Sequence, residues 1–405
     1  MKILFVNHTA DWGGAEVALM RLVETLGRSH DIAVACPDPG RLTAELYGRG
    51  IASFTLPRTT ASLRPHLLHT PRGMLQLAGA GLALESIIRR ARPDVVHANG
   101  LRAGLMAARG ARRRAPPTLV QVHDLLPRNA MGRAIRRTVA ASADAVVANS
   151  DKTAADFNFG LAVARASRIY ISIDHQRFDP TVAGSGTLRA DLGMGDAPVL
   201  AQVAQITPWK RQHVAIEALA RLREAEPSAR LVIVGAVSFA SPRYDNEAYD
   251  RELHGLAERL DVGRAVHFVG QREDLPELMN TVNLTLMPSL DEPFGTAVAE
   301  SMAMGTPPLV SADGGMSEFV EDGVSGCVLA HPDPTDWAQA AARLLNDRRV
   351  LQRMGADAKR VAARFSDDHY AGEMEDSYER IRADRARRGP RLMIPRACPR
   401  LGRRP

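Results

Sequence analysis

Two acidic residues, Glu292 and Glu300, stand eight apart in the stretch TLMPSLDEPFGTAVAESMAMGTPPLVSADGGMSE, residues 285–318. An apolar run ends at Pro288, and a short polar loop with Asp291 and Glu292 follows. The turn Phe294-Gly295 then opens a helix of small residues near Thr296, which carries Glu300. A second apolar run, Pro308 to Val310, closes in Asp313-Gly314-Gly315. Strand, glycine turn, helix and strand in that order aim the free N–H groups of the helix start at one spot, where an anion binds well. Both carboxylates can face a single pocket there, at the carboxyl edge of a parallel sheet. As a lone pair they would read more simply as solvated or capping charges, since acids suit helix N-termini.

Other residues invite the same question. Asp11-Trp12-Gly13-Gly14-Ala15-Glu16 follows the first apolar run and opens a helix. Gly13 and Gly14 lack side chains, so backbone can come close to a phosphate. The run is not G-x-G-x-x-G, and nothing acidic downstream completes a nicotinamide-dinucleotide fingerprint. His8 precedes it, while His97 (in VVHANG) and His123 (in QVHD) end later apolar runs, where a side chain faces a cleft. For each histidine a satisfied structural ring is the plain alternative. In Gln205-Ile206-Thr207-Pro208-Trp209-Lys210-Arg211-Gln212 two adjacent cations follow a strand-like run.

The elements that must position these residues alternate. Strands are expected at 2–7, 32–35, 53–56, 94–98, 118–122 and 145–148, with helices between them at 14–26, 41–47, 74–90, 102–113 and 132–141 and one behind Asn149-Ser150; residues 58–71 read as a loop. Periodicity weakens over 172–196 and restarts with strands at 199–204, 230–234, 266–269 and 284–287 and helices at 212–223, 248–260 and 275–279. This spacing argues for an α/β chain of two doubly wound parallel sheets, with a ligand cleft between their carboxyl edges. The domains are expected at 1–175 and 196–365, the second ending in helices at 337–345 and 350–363, with a last helix at 366–381 and a basic, disordered tail at 382–405.

A chain of 405 residues allows two or three domains. Cys36, Cys327 and Cys398 are odd in number and far apart, which gives neither a disulfide framework nor metal-ligand spacing. The N-terminus reads as a first strand, not a signal peptide, and no run of 18 apolar residues spans a membrane, so a cytoplasmic protein is expected. Residues 1–179 hold 24 Lys and Arg against 14 Asp and Glu, residues 180–380 hold 19 against 31, and residues 381–405 hold 9 against 1. A basic first half and an acidic second half suit different partners. Nucleic acid is not one of them: aromatic residues are only 5%, and Arg112-Arg113-Arg114 is not accompanied by any recognition module. The basic first half suits an anionic acceptor or peripheral contact with an anionic membrane on its inner face.

The cassette E-P-F-G-T-A-V-A-E followed by A-M-G-T-P, with the G-G-A-E loop and Lys210, resembles the retaining glycosyltransferases of family 4, which have the GT-B fold. The resemblance implies two Rossmann-like domains, the first for the acceptor and the second for a nucleotide-diphosphate sugar, with a last helix crossing back. It implies that Glu300 holds the nucleotide ribose, that Glu292 meets the transferred sugar, and that backbone N–H groups around Phe294, Gly295 and Thr296 reach sugar or phosphate. Gly13 and Gly14 would lie across the diphosphate, His123 near the transferred sugar, and Gln271 and Arg272 beside the base; His8 and His97 are weaker acceptor contacts. Lys210 would meet the charge that develops on the departing diphosphate. The family has an arginine five residues before that lysine, and Gln205 stands there; Arg211 occupies the family's usual glycine. The implied chemistry is metal-free, cofactor-free transfer with retention by front-face attack, in cell-surface polysaccharide, glycolipid or natural-product glycoside synthesis. Alternatives are another GT-B enzyme (an epimerase or phosphorylase) and a degenerate protein that binds a sugar nucleotide without turnover.

Overall fold

The computed structural model describes the chain apart from residues 60–68, 109–114, 185, 238–243 and 389–405. The Arg112-Arg113-Arg114 run, Cys398, most of the expected 58–71 loop and most of the expected tail therefore lie outside the described residues. One sheet holds β1 (Lys2–Asn7), β2 (Asp31–Pro37), β3 (Ala52–Leu56), β4 (Val95–Asn99), β5 (Thr118–Val122), β6 (Ala145–Ala148) and β7 (Ala166–Arg168), in the order β3-β2-β1-β4-β5-β6-β7. A second holds β8 (Val199–Val203), β9 (Arg230–Val234), β10 (Val266–Phe268), β11 (Leu284–Met287), β12 (Pro308–Ser311) and β13 (Cys327–Leu329), in the order β10-β9-β8-β11-β12-β13. All the ladders between these strands are parallel. Strand β1 is apolar on both faces through most of its length, as helices packed on either side require: Ile3, Leu4, Phe5 and Val6 are all buried.

Helices α1 (Gly14–Leu26), α2 (Arg41–Gly48), α3 (His69–Ala91), α4 (Leu101–Ala107), α5 (Ala130–Ser142) and α6 (Asp151–Asn158) connect the first sheet. The second is served by α7 (Leu188–Asp191), α8 (Gln212–Ala225), α9 (Asn246–Arg259), α10 (Leu275–Thr281), α11 (Thr296–Ala303), α12 (Pro334–Leu345) and α13 (Arg348–Ala362). This is the expected pair of doubly wound sheets, the GT-B architecture. In each sheet the strand order reverses once, between β1 and β4 and between β8 and β11. The loops after those four strands diverge and leave a crevice at the carboxyl edge. They carry Gly13 and Gly14, Lys210 and Glu292, and Asn99 ends β4 beside them, so the topology by itself gathers the candidate residues.

The last helix, α14 (Asp367–Arg388), lies against the first sheet and α1. Arg21 of α1 binds Asp367 through Nε at 2.9 Å and through Nη2 at 2.5 Å, and reaches Asp174 in the inter-sheet connection at 2.8 Å. His30 meets Glu375 at 2.5 Å. The helix runs past its expected end at 381 to Arg388, because Arg385 is held by the Asp144 carboxylate at 3.1 Å and the Ala115 carbonyl at 3.3 Å. Helix α3 likewise starts at His69, ahead of the expected 74. Strands β7 and β13 were not expected: three residues at a sheet edge leave no periodic pattern to read. Among the described residues no helix is long and apolar enough to cross a membrane.

The loops after β8, β9 and β10 meet at Gly235, whose φ is +137°. Its N–H donates to the Gly270 carbonyl at 2.8 Å, and a Cβ there would lie 2.0 Å from the Ala204 carbonyl oxygen. We expect Gly235→Ala to lose about 3 kcal/mol by strain and clash together, because the contact is with rigid backbone. Chemical denaturation checks this, and a loss below about 1 kcal/mol would contradict it.

Candidate active site at the cleft

After β8 the chain makes a 3-10 turn over Pro208–Lys210, and Arg211 then takes a left-handed conformation (φ 54°) to start α8. The turn delivers Lys210 to Glu292, Nζ to Oε2 at 2.6 Å, with both side chains largely buried. The ammonium also lies over the Trp209 ring, 4.2 Å from its centroid. Gln202 donates to the Lys210 carbonyl at 2.8 Å, and the Leu290 N–H donates to the Trp209 carbonyl at 2.8 Å, so the two loops are stitched together. An ammonium has three donors, and one serves Glu292, which leaves capacity for an anion. Glu292 is fixed from behind as well: its carbonyl accepts from the Gly315 N–H at 2.8 Å.

Gly295 turns the chain into α11 with φ 95°, where a Cβ would stand 2.4 Å from Met316 Cγ. The N–H groups of the first turn, at Thr296 and Ala297, face outward from the helix start as in any helix. The Phe294 side chain does not face the cleft. It is buried among Phe319, Phe365 and Tyr170, with ring centroids 5.2, 5.5 and 5.9 Å away, so the expected ligand contact of this residue reduces to its backbone. Glu300 is partly exposed and its carboxyl makes no hydrogen bond among the described residues. Burial pushes its pKa up to about 8, against the pull of Arg177 and Arg21 and with a further push from Asp174. Arg272 is tied to Asp274 by two bonds, 2.7 and 2.5 Å, and is not free to read a base without releasing that carboxylate. Gln205 is exposed, and its carbonyl accepts from Gln212 at 2.8 Å.

On the first sheet, one face carries two polar rows. The lower row is His97 with Gln121, covered by α14: His97 Nδ1 meets the Tyr378 hydroxyl at 2.6 Å and Nε2 meets Gln121 Oε1 at 3.1 Å. His97 is fully buried and its pKa is pushed down to about 3 by burial and then by His123. Its expected acceptor contact is therefore corrected: both ring nitrogens are spent inside the core. The upper row, at the strand ends, is Asn7, Asn99 and His123, with Glu16 of α1 above it. His123 Nε2 lies 2.7 Å from Asn99 Oδ1, Asn99 donates to Asn7 Oδ1 at 2.9 Å, and Asn7 donates to Glu16 Oε1 at 3.2 Å. Burial lowers the His123 pKa to about 4 although Asp124 raises it. Burial also raises the Glu16 carboxyl against the bond from Asn7. Gly13 precedes α1 with its Cβ position 3.2 Å from Glu16 Oε2, and Gly14 faces open space. His8 accepts from Arg102 at 3.2 Å through Nε2, and burial followed by Arg102 lowers its pKa to about 4.

The halves meet beside the site. The N–H groups of Asp151 and Lys152, at the start of α6, donate to Glu318 at 2.8 and 2.6 Å. Lys152 Nζ bridges Asp291 at 2.8 Å and Asp313 at 2.7 Å. Sequence reasoning missed Lys152, Trp209, Asn7 and Asn99. The signal that could have found the asparagines is a polar residue ending each of two neighbouring apolar strands. Among the described residues no group of three or more His, Cys, Asp or Glu could hold a metal ion.

Residues 12–177 match the model of Glycosyltransferase Family 4, and residues 186–361 match that of Glycosyl transferases group 1. A D-inositol 3-phosphate glycosyltransferase of Stackebrandtia nassauensis is 32% identical over 307 residues, 70% of this chain and 68% of that protein. The chain belongs to glycosyltransferase family 4. Another relative of this family 4 chain, a D-inositol 3-phosphate glycosyltransferase of Xylanimonas cellulosilytica, is 28% identical over 91% of this chain and 92% of its own. Further relatives of that name are matched over 53% to 59% of their length. Among solved structures, Anabaena HepE in complex with UDP superposes with a TM-score of 0.80 at 24% identity, covering 94% of this chain and all of that one. That likeness is one of fold, and it agrees with the GT-B architecture of this family 4 glycosyltransferase.

Glu300 gives this site a measurable signature. Its raised pKa means the folded state holds the proton more tightly than the unfolded chain. Its contribution to stability is therefore present below the ordinary carboxylate value of 4.5 and is lost as pH rises towards about 8. In the ligand-free protein we expect Glu300→Gln to melt higher than the parent by ~1–3 °C at pH 8, with the gap closing towards pH 5. Thermal melts at several pH values decide it; a gap that does not vary with pH would contradict the assignment.

Proposed function

We propose that this glycosyltransferase moves a sugar from a nucleotide-diphosphate sugar to a hydroxyl acceptor with retention of anomeric configuration and without a metal. The observation that carries the reading is the buried Lys210–Glu292 pair at 2.6 Å, set at the point where the second sheet's strand order reverses and next to the start of α11. Residues 196–365 take the donor and residues 1–175 the acceptor. Lys210 and the N–H groups of Thr296 and Ala297 meet the diphosphate, and Gly13 and Gly14 let the first half close over it. Glu300 accepts the two ribose hydroxyls, for which its unpartnered carboxyl is suited. Glu292 and His123 meet the transferred sugar from opposite halves. In the step itself the bond from the anomeric carbon to the diphosphate oxygen breaks, and the acceptor oxygen attacks from the same face. The acceptor's proton passes to a leaving phosphate oxygen.

The donor class we favour is a UDP-sugar, on the likeness to HepE in complex with UDP. The first acceptor to try is D-inositol 3-phosphate, because relatives up to 34% identical carry that name. Cell-surface polysaccharide and glycolipid acceptors come second. The chain works in the cytoplasm on this reading, with its basic first half suited to an anionic membrane face. Gln205 favours a second reading, a degenerate sugar-nucleotide binder, since an uncharged residue stands where the family has arginine.

A thermal-shift screen with UDP, GDP and their common sugars, with and without magnesium, tests the donor. We expect one nucleotide class to stabilise the protein without need of metal. Lys210→Ala and Glu300→Ala should each weaken that nucleotide by roughly tenfold or more, the loss of one charge-assisted contact. With the donor in hand, the anomeric proton coupling of the product reports retention. No shift with any nucleotide in a folded sample would move the weight to the binder, as would turnover that appears only in Gln205→Arg.

A further inference from the structure

The row Asn7–Asn99–His123 has a direction that the atoms themselves settle. Asn7 Nδ2 lies 2.8 Å from the Thr9 carbonyl, which can only accept, so the amide nitrogen must face it. The second hydrogen of that nitrogen goes to Glu16 Oε1 at 3.2 Å. Asn7 Oδ1 is then the acceptor left for Asn99, whose Nδ2 approaches at 2.9 Å and lies 3.5 Å from the Ala15 carbonyl, again an acceptor only. Asn99 Oδ1 must therefore accept from His123 Nε2 at 2.7 Å. Strand register puts the pieces in place: Asn7 pairs with Asn99 across β1 and β4, and Asn99 with Gln121, two residues before His123 on the same face. Asn7, Asn99, Glu16 and His123 are all nine-tenths buried or more, so water cannot scramble the order. Asn149 donates to the His123 carbonyl at 3.4 Å and steadies the backbone.

We propose that Asn7 and Asn99, anchored on the Thr9 carbonyl and Glu16, are positioning residues that hold His123 as the Nε2–H tautomer, so that it meets a substrate hydroxyl through Nδ1, as a hydrogen-bond acceptor. Nδ1 has no partner among the described residues. This deepens the reading given above: on the first half's side of the cleft the sugar or acceptor presents an O–H to His123, and His123 does not protonate the leaving group. The charged and titratable groups around the ring are Asp124, which favours its protonation and also acts on Arg102, buried His97, and Glu16 at the far end of the row. Burial outweighs Asp124, which keeps the ring neutral at working pH.

The test needs no donor. In the full chain labelled with 15N-histidine, long-range 1H–15N spectra, with His123 assigned by His123→Gln, should show a pyrrole-type Nε2 and a pyridine-type Nδ1, constant from pH 6 to 9. Asn99→Asp puts a carboxylate on Nε2 and should raise the proton affinity of His123 at least tenfold, a shift of one pH unit or more in its titration. Asn7→Leu releases the Asn99 amide to turn over and should populate the Nδ1–H form. A wild-type Nδ1–H tautomer overturns the proposal even if neither variant folds, and so does Asn99→Asp that leaves the titration of His123 where it was. Because these readouts are independent of turnover, their failure would count against the row and leave the transferase reading standing, whereas absent nucleotide binding would do the reverse.

Discussion

Four aromatic rings drawn from four distant segments fix the relation between the two sheets, and the cleft inherits its shape from them. Tyr170 comes from the connection after β7, Phe294 from the loop after β11, Phe319 from the segment after the Gly314-Gly315 turn, and Phe365 from the start of the path into α14. Their centroids lie 5.1 to 6.3 Å apart, mostly tilted or edge-on, as ring quadrupoles prefer. Arg168 and Arg364 cover Tyr170 at 4.1 and 5.5 Å. Each ring pair contributes roughly 0.5–1.5 kcal/mol beyond its buried area. Phe294 is one residue from Gly295 and two from Glu292, so the loop that carries the site is anchored in the same cluster that joins the halves. Glu318 reinforces the joint by capping α6, and Lys152 carries it to Asp291, the neighbour of Glu292. The rings, Glu318 and Lys152 thus tie the angle between the sheets to the position of Glu292.

Around that anchor the cleft is hostile to charge. Glu16, Glu300 and Glu318 all sit above the ordinary carboxylate range, and His8, His97 and His123 below the ordinary imidazole range, in every case with burial as the leading cause. Basic and acidic side chains are instead set in direct contact there: Lys210 with Glu292, and Lys152 between two aspartates. Such an interior strengthens each contact with an incoming anion. Raising Glu300 from 4.5 to about 8 penalises its charged form by a few kcal/mol, less what its partial exposure returns. Two hydroxyl hydrogen bonds to a carboxylate, at about 1.5–3 kcal/mol each, offset a penalty of that size. On the reading proposed above, a ribose diol would supply that offset.

How much of this could be read from the sequence depended on the range of the interaction involved. The two sheets, the glycine turns at Gly13-Gly14 and Gly295, and the delivery of Lys210 to the second sheet's edge are local consequences of apolar periodicity and turn chemistry, and they were legible. Phe294 was legible as part of a motif but not as a ring in the core, because the rings it packs on lie 25, 71 and 124 residues away in the chain. His97 and His123 look alike in the sequence, each a histidine at the end of an apolar run. They differ because α14, from the far end of the chain, places Tyr378 over one and leaves the other at the rim.

The asparagines make the sharper case. Beyond ending an apolar run, nothing near Asn7 or Asn99 in the chain distinguishes it from a turn residue, and asparagine is common at strand ends for that reason. Their role exists only once parallel pairing has set Asn7 beside Asn99 and β5 has brought His123 next to them. The polarity of the row then hangs on two backbone carbonyls, at Thr9 and Ala15, whose inability to donate orients each amide in turn. A hydrogen bond of about 1 kcal/mol is a small part of the stability of such a chain. Here it matters by its direction: it determines which nitrogen of one imidazole is left to face the cleft, and that choice separates an acceptor of hydroxyl protons from a donor of them.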